Sequence, residues 1–576
     1  MIVEKQPDTD VLVIGSGIAG LSAAIYAAKN GASVVLSSSV NLFSGSTFFP
    51  GTWGFGLVGP EDEKDEKDLI ETILKLGQGA AVKHLVETFV KNLNESVDLL
   101  ENLGITLLKP SEEARGQKEY IPCFDHKHRR WRGLTKKNLL EAMPRVLKEL
   151  GITLLPDFEV MELLKEGEKV TGALGIREGR KLMSIHAKAV VLATGGLGGL
   201  YSYKLTTDDV NGTGVGLALR AGAKAVNLEF MQIMLGFVRP GFKTVHNEKT
   251  FFASQFHTGE GKSLLKERLP EEHTEEEVLK ARSLHGPFSS ETVSRYLDLA
   301  VHEEITEKHL SGVTMTYDLE KLKEPAEFVK TYFRWLKEEK NVSFEDEILV
   351  APFMHASNGG IFISEEGKTH APGLFAAGEC TGGMHGADRI GGLSTANGIV
   401  FGKIAGENAA AYSRETEEEE TEPGMDDPGM SIQSTEAPEE KLREMRKIMY
   451  QHAFLKLEEE SLLHAKNAWE SIHFSESAFD MGKEPTDKTE AEKMKTIRDS
   501  YRLLNGKAAA SALLTVQLMR RESRGSFYRS DYPVKDEKHF RSPLVVRLLN
   551  RNKEYTKEKN TEVLAEKLER DEKIVW

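Results

Sequence analysis

The residues Gly15-Ser-Gly17-Ile-Ala-Gly20 carry the spacing G-x-G-x-x-G. They stand between an apolar, β-branched run (DVLVI, Asp10–Ile14) and a helix-forming run (LSAAIYAAKN, Leu21–Asn30). In that setting Gly15 permits a tight turn and Gly17 lets backbone approach a pyrophosphate. Gly20 lets the helix pack closely on the strand, and the helix N-terminus offers free N–H groups to phosphates. The spacing alone is a weak signal, matched by any flexible glycine turn; the flanking strand and helix make it a dinucleotide-binding signature. The acidic residue that often binds ribose after the second strand is missing, and Ser37-Ser38-Ser39 stands there with hydroxyls as weaker partners. Two later turns succeed strands in the same way: Ala193-Thr194-Gly195-Gly196 after Ala189–Leu192, and Gly378-Glu379 at the end of GLFAAGE. Either turn alone reads as an ordinary strand end. Three such elements, far apart in sequence, favour one large dinucleotide.

The elements that must hold these turns form a β-α-β opening. Asp10–Ile14 is a buried strand, Leu21–Asn30 a helix stopped by Gly31, and Ala32–Leu36 the next strand. Glu61–Leu108 and Leu134–Leu150 show helical periodicity. Strands are expected at Ile152–Leu155, Val160–Leu164, Val170–Ile176, Lys181–Ile185 and Ala189–Leu192. Beyond Phe230 polar loops and amphipathic helices run to about Glu345, and the buried strand-and-glycine pattern returns from Ile348 to Ala411. One domain interrupted by an inserted second one explains that return. Glu415–Glu440 is acidic, contains proline and glycine, and reads as a linker; Lys441–Asp571 reads as largely helical.

Composition narrows the function classes. At 576 residues the chain exceeds one ordinary core, and 29% charged with 40% hydrophobic residues is the balance of a globular protein. The net charge of −15, with no long Lys/Arg stripe, argues against nucleic acid as a partner. An anionic substrate therefore needs local cations. The two cysteines, Cys123 and Cys380, exclude a disulfide framework or an iron–sulfur cluster carried by this chain, and fit a reducing cytoplasm. No transmembrane run is present, and His126-Lys-His-Arg-Arg130 lacks metal-ligand spacing, so no metal is expected.

A longer series of segments resembles the succinate dehydrogenase/fumarate reductase flavoprotein family, which includes L-aspartate oxidase. The matching stretches are DVLVIGSGIAGLSAA, GSTFFPGTWG (Gly45–Gly54), AKAVVLATGG (Ala187–Gly196) and NGTGVGLALRAGAKAVNLEFMQ (Asn211–Gln232). HASNGG (His355–Gly360), GLFAAGE, HGADRIGG (His385–Gly392) and RRESRGSFYRSDYP (Arg520–Pro533) come after them in the family's order. The resemblance implies an α/β fold: a Rossmann-like FAD-binding domain, an inserted α+β capping domain and a C-terminal helical domain. The implied boundaries are 1–230 and 351–413 for the FAD domain, 231–350 for the cap, 414–440 for the linker and 441–576 for the last domain. Carried onto this sequence, the FAD residues are Gly15, Gly17, Gly20, Ser37, Ser46, Thr47, Val160, Thr194, Gly195, Glu379, Ser394 and Thr395. Relatives that attach FAD covalently use a histidine near Gly45–Phe48; Ser46-Thr47-Phe48 here implies non-covalent FAD.

His355 and Arg389 match the family's substrate-binding pair. An arginine fork suits a carboxylate, and a histidine donor beside it polarises the same acid or a carbonyl. Three departures weaken dicarboxylate chemistry: Met234 replaces a histidine, Gln255 and Thr258 replace a carboxylate and an arginine, and Ser290 stands where a catalytic arginine is usual. Arg295, His257 or a tyrosine is left as surrogate proton donor, with Arg295 the expected catalytic residue. In the RRESRGSFYRSDYP segment, Arg520 and Arg521 are expected to make structural ion pairs, while Arg524 and Arg529 are placed near a partner or the cap. The expected function is FAD-dependent hydride exchange between flavin N5 and a small carboxylate-bearing substrate. Electrons would pass to or from an iron–sulfur or other electron-transfer partner. The location is cytoplasmic, with peripheral docking on a membrane partner allowed. The competing reading is a non-catalytic electron-transfer or assembly flavoprotein with a decayed pocket.

Overall fold

The computed structural model describes residues 4–5, 8–416, 431–478, 488–552 and 559–568. Strand Thr9–Ile14 sits between Val34–Ser37 and Lys181–Leu192, parallel to both. Thr153–Leu155 extends the sheet beyond Val34–Ser37, and Leu374–Ala376 lies parallel to Lys181–Leu192. The runs are Val/Leu/Ile-rich because helices cover the sheet, and Val11, Leu12 and Val13 are fully buried. Register sets the strand ends level with one another: Ile14 is opposite both Ser37 and Leu192, and Leu192 is opposite Ala376. The turns after these four strand ends therefore emerge side by side.

Lys181–Leu192 is one continuous strand, where the sequence suggests two separated at His186–Lys188. Its first half pairs antiparallel with Lys169–Arg177, which pairs with Phe158–Glu166. A second sheet, entirely antiparallel, has the order Thr244–Val245, Met231–Arg239, Ile348–Ser357, Val313–Tyr317, Ser254–His257. It has its own core, with Phe237, Met315, Tyr332 and Phe353 buried together. The strand pattern read from Ile348 is present as Ile348–Ser357, while periodicity in the 231–345 stretch points to loops and helices and misses the other four strands.

Two helices cover the opening strand. Ile18–Lys29 packs against Leu393–Glu415 through Gly398, Gly402 and Gly406, one face at four-residue spacing. A Cβ on Gly402 would stand 2.5 Å from the Ala19 carbonyl oxygen, and one on Gly406 2.2 Å from that of Ala23. Only glycine admits this backbone approach.

Past the second sheet, part of the acidic linker, residues 417–430, lies outside the described residues. The helix before it runs to Glu415, and a strand Ser431–Ser434 and a helix starting at Pro438 occupy the far end. The expected helical tail is helical through Met519, in Pro438–His452, Glu459–Glu470 and Lys488–Met519. Beyond it, Leu544–Asn552 and Lys559–Lys567 form a hairpin that joins Ala225–Val226.

A buried ion network anchors this tail. Glu522 accepts from Arg520 (2.8 Å), from Arg524 on both oxygens (2.7 and 2.8 Å) and from the Asp536 N–H (2.7 Å). Arg520 also donates to Glu229 at 2.7 Å, and Arg529 is paired with Asp531 at 2.6 Å. Arg520, Arg524 and Arg529 are all fully buried, and Arg521 is the exposed one; Gly525, next to Arg524, donates its N–H to Glu291 at 3.1 Å, so this turn lies against the 231–350 stretch. Removing one member leaves buried charge uncompensated. Glu522→Ala is expected to cost about 3–5 kcal/mol, read as a lower urea midpoint, while Arg521→Ala leaves the midpoint unchanged.

Candidate functional site

The turns emerging from the parallel strand ends enclose one cavity of about 390 Å³. Gly15, Gly17, Ser46, Thr47, Val160, Thr194, Gly195, Glu379, Ser394 and Thr395 line it, together with His355 and Arg389. Twelve of the fifteen residues picked out from sequence thus meet at one place.

Three do not line it, each for a physical reason. Gly20 is a packing position, since a Cβ there would fall 1.7 Å from the Gly15 oxygen. Ser37 is buried in the sheet, its hydroxyl donating to the Val13 carbonyl at 3.2 Å; Ser38 and Ser39 reach the cavity instead. Arg295 is turned away, donating to the Ser290 carbonyl (3.0 Å) and the Tyr296 hydroxyl (3.3 Å). Ser290 itself, at the position of the missing arginine, uses its N–H and hydroxyl on the Gly525 carbonyl, 2.7 and 2.9 Å away. His257, Gln255 and Thr258 also stand off the cavity.

Local backbone chemistry explains the cradle. Gly15 has φ +113°, and a Cβ there would lie 2.2 Å from the Ala193 oxygen. Gly17 caps the helix Ile18–Lys29 with no side-chain hydrogen bond, and Thr47 Oγ1 accepts from the Ile18 N–H at 3.0 Å. The other helix, Leu393–Glu415, starts at Gly392, also without a side-chain cap, and presents Ser394 and Thr395. Two helix N-termini thus face one cavity, an arrangement that favours negative charge. Glu379 is fixed by the Ser357 N–H at 3.0 Å, and burial raises its pKa against the opposing pull of that bond and of Arg389. These features fit an extended dinucleotide: a phosphate-ready turn, hydroxyls able to bond a ribose, and an acidic acceptor.

Other groups of the lining suit an organic acid. Met234 and His355 come from paired strands: Met234 is opposite Phe353, and His355 falls at a register shift, between Met354 opposite Ile233 and Ala356 opposite Gln232, where the regular alternation breaks; both line the cavity. Arg389 is buried, its Nε and Nη2 both donating to Gln232 Oε1 at 3.0 and 2.5 Å. No described carboxylate pairs with it at salt-bridge distance. Burial lowers its pKa to about 10, leaving it cationic near neutrality. Burial, helped by Arg389, drives His355 down to about 3, so its ring is neutral; its Nδ1 is buried without a hydrogen-bond partner.

Several lining residues carry no local sequence signal. Trp53, Tyr120, Phe328 and Trp131 form an edge-to-face aromatic series, with centroids 5.2 to 5.6 Å apart. Cys123, Glu248 and Lys249 also line the cavity, and the Cys123 thiol donates to Glu248 at 3.1 Å. They come from loops that fold together only in three dimensions. Among the described residues no cluster of His, Cys, Asp or Glu could hold a metal, and no helix is long and apolar enough to cross a membrane.

Comparison with known proteins matches this geometry. A family model described as FAD binding domain matches residues 10–395, and one described as fumarate reductase flavoprotein C-term matches residues 442–572. The L-aspartate oxidase of Streptomyces coelicolor is similar, 26% identical over 570 residues, covering 94% of this chain and 91% of that one. Among solved structures, Mycobacterium smegmatis Sdh1 superimposes with a TM-score of 0.74 at 22% identity, covering 98% of this chain and 95% of the other. Escherichia coli quinol fumarate reductase FrdA gives 0.73 at 21%, covering 99% and 97%. The chain belongs to the succinate dehydrogenase/fumarate reductase flavoprotein family and is an FAD-dependent oxidoreductase.

Proposed function

We propose that the protein exchanges a hydride with a small carboxylate-bearing substrate clamped by Arg389. The observation that carries this reading is an arginine held in the cavity with no carboxylate of its own, its guanidinium oriented by Gln232. Its remaining N–H groups are free to fork a carboxylate. Non-covalent FAD, when bound, supplies or accepts the hydride at N5. The residues that hold it are Gly15, Gly17, Ser38, Ser39, Ser46, Thr47, Val160, Thr194, Gly195, Glu379, Ser394 and Thr395.

This chain's residues do the rest. Neutral His355 offers a hydrogen bond without adding charge, so orientation of the acid falls to it and Arg389 together. Met234, with Phe49 and Leu205, supplies an apolar wall that limits water near the reacting carbon. The segments 1–230 and 351–413 serve as a Rossmann-like FAD domain, 231–350 as a capping domain and 441–576 as the C-terminal domain. With only two cysteines in the chain, electrons pass to or from a separate iron–sulfur or other carrier. A cytoplasmic location, peripheral on a membrane partner, belongs to the same proposal. The decayed-pocket alternative gains no support, because His355, Arg389 and the cradle meet in one cavity.

Two variants test the two halves. A Cβ on Gly17 would touch only Thr47 Oγ1, at 3.4 Å, and the Ser44 oxygen, at 4.0 Å, so Gly17→Ala should fold normally. Its methyl enters the phosphate approach, and FAD affinity, followed by flavin fluorescence, is expected to fall about tenfold or more. Arg389→Ala should retain flavin but lose about a hundredfold or more in kcat/KM with succinate, fumarate or L-aspartate. Absence of any Arg389-dependent turnover across small carboxylic acids would remove this reading.

A further inference from the structure

Hydride exchange at one atom needs a proton exchanged at another, and most of the titratable groups near the clamp cannot provide it. Arg295 and His257 are outside the cavity. His355 is neutral and carries no imidazolium proton to give. The two lining tyrosines have committed protons: Tyr332 donates to the Val245 carbonyl at 3.0 Å, and Tyr120 to Glu327 at 3.0 Å. Two of the lining carboxylates are similarly engaged. Glu159 is paired with Arg502 at 2.6 Å, and Glu379 is held by the Ser357 N–H.

Glu248 differs from these. It begins the short 3₁₀ helix Glu248–Ala253 on the wall that carries Met234. Its Oε1 accepts the Cys123 thiol at 3.1 Å, and no described cation pairs with it at salt-bridge distance. Its Oε2 lies against Gly286, where a Cβ would be 3.9 Å from that oxygen and 3.3 Å from Met234 Cε. The Cys123 segment is in turn tied to the Arg389 loop, because Gly391 donates its N–H to the Cys123 carbonyl at 3.0 Å. A single cavity wall therefore joins a carboxylate, the thiol that orients it, and the loop carrying the carboxylate clamp.

We propose that Glu248 is the residue that exchanges a proton with the substrate, with Cys123 as its positioning residue. The proposal rests on the hydride-exchange reading of the site. In the reducing direction, a hydride adds to one carbon of a polarised double bond. The carboxyl of Glu248 protonates the neighbouring carbon, becomes carboxylate, and is reprotonated from solvent. Oxidation is the reverse, so two electrons and two protons balance between flavin, substrate and Glu248. The charged and titratable groups beside it are Lys249 on its own element, Cys123 and Tyr332, with Arg389 next to Cys123 and His285 next to Lys249. Burial, with Glu248 itself, holds the Cys123 thiol up at about 12, and His285 is pushed by burial down to about 3. Tyr332 is raised well above its usual value and Arg389 titrates near 10. None of these four changes protonation near pH 6.

An anion entering beside an unpaired carboxylate makes that carboxylate take up a proton. The test is calorimetric titration of the flavin-loaded enzyme with succinate, fumarate and propionate at about pH 6. Runs in two buffers of different ionisation heat count the protons. The expected result is proton uptake on binding in the wild type, none in Glu248→Gln, and no binding in Arg389→Ala. Glu248→Asp, which keeps the charge, should retain uptake and guards against a folding defect in the amide variant. In a separate readout that needs no ligand, Glu248→Gln should lower the pH at which Cys123 is alkylated. Binding without proton uptake, or uptake that persists in Glu248→Gln, overturns the proposal while leaving the carboxylate clamp intact. In a further titration with L-aspartate, binding tighter than that of succinate and without uptake would make Glu248 an ammonium anchor and overturn it too. Failure of all three acids to bind overturns the clamp and this inference together.

Discussion

Everything at the site depends on the contact between the helices Ile18–Lys29 and Leu393–Glu415. They are 375 residues apart at their first positions, yet Gly398, Gly402 and Gly406 bring the backbones together on Ile18, Ala19, Ser22 and Ala23. Because the approach is backbone to backbone, the two N-termini are fixed side by side over the ends of the parallel strands. A methyl at Gly402 or Gly406 would collide with a carbonyl oxygen, so the helices would have to separate and the cradle would widen. The dipoles of both helices then act on one place, where a dinucleotide's negative charge is concentrated.

From this anchor the chemistry is set by register. The level ends of four parallel strands present Gly15, Ser38, Thr194 and Glu379 as neighbours. The second, antiparallel sheet brings Met234 and His355 to the same cavity. Arg389 reaches it from the loop just ahead of the second helix, so the same backbone contact that builds the cradle positions the clamp. The buried Arg520–Glu522–Arg524 network and the C-terminal hairpin hold the frame from behind.

How far the sequence is legible tracks how local each interaction is. The Gly15–Gly20 turn is legible because its constraints, a positive φ at Gly15 and contact between Gly20 and Gly15, are made within six residues. Family motifs extend the reading to Glu379, Ser394 and Arg389. The expectation at Ser37 is one residue off, because the strand keeps that hydroxyl for Val13 and only the next two serines leave the sheet. Arg295 is misplaced by sequence because its guanidinium finds partners within five residues of its own chain. The burial of Arg524 and Arg529 is not legible in sequence, because it depends on Glu522 and Asp531 being held in one fold. Cys123 and Glu248 meet across 125 positions, and no periodicity announces such a pair. The same holds for Met231–Arg239 in the second sheet, whose partner strand Ile348–Ser357, itself legible in sequence, lies more than a hundred residues away.

The central claim is that one cavity holds a dinucleotide at the helix N-termini and an acid at Arg389. The crystal structure of the flavin-loaded enzyme tests it most directly. The account predicts the pyrophosphate against the Gly15–Gly17 backbone, and the N5 edge of the ring facing the wall formed by Arg389 and His355. A flavin bound with its ring system away from Arg389, or phosphates seated elsewhere than the two helix N-termini, would contradict it.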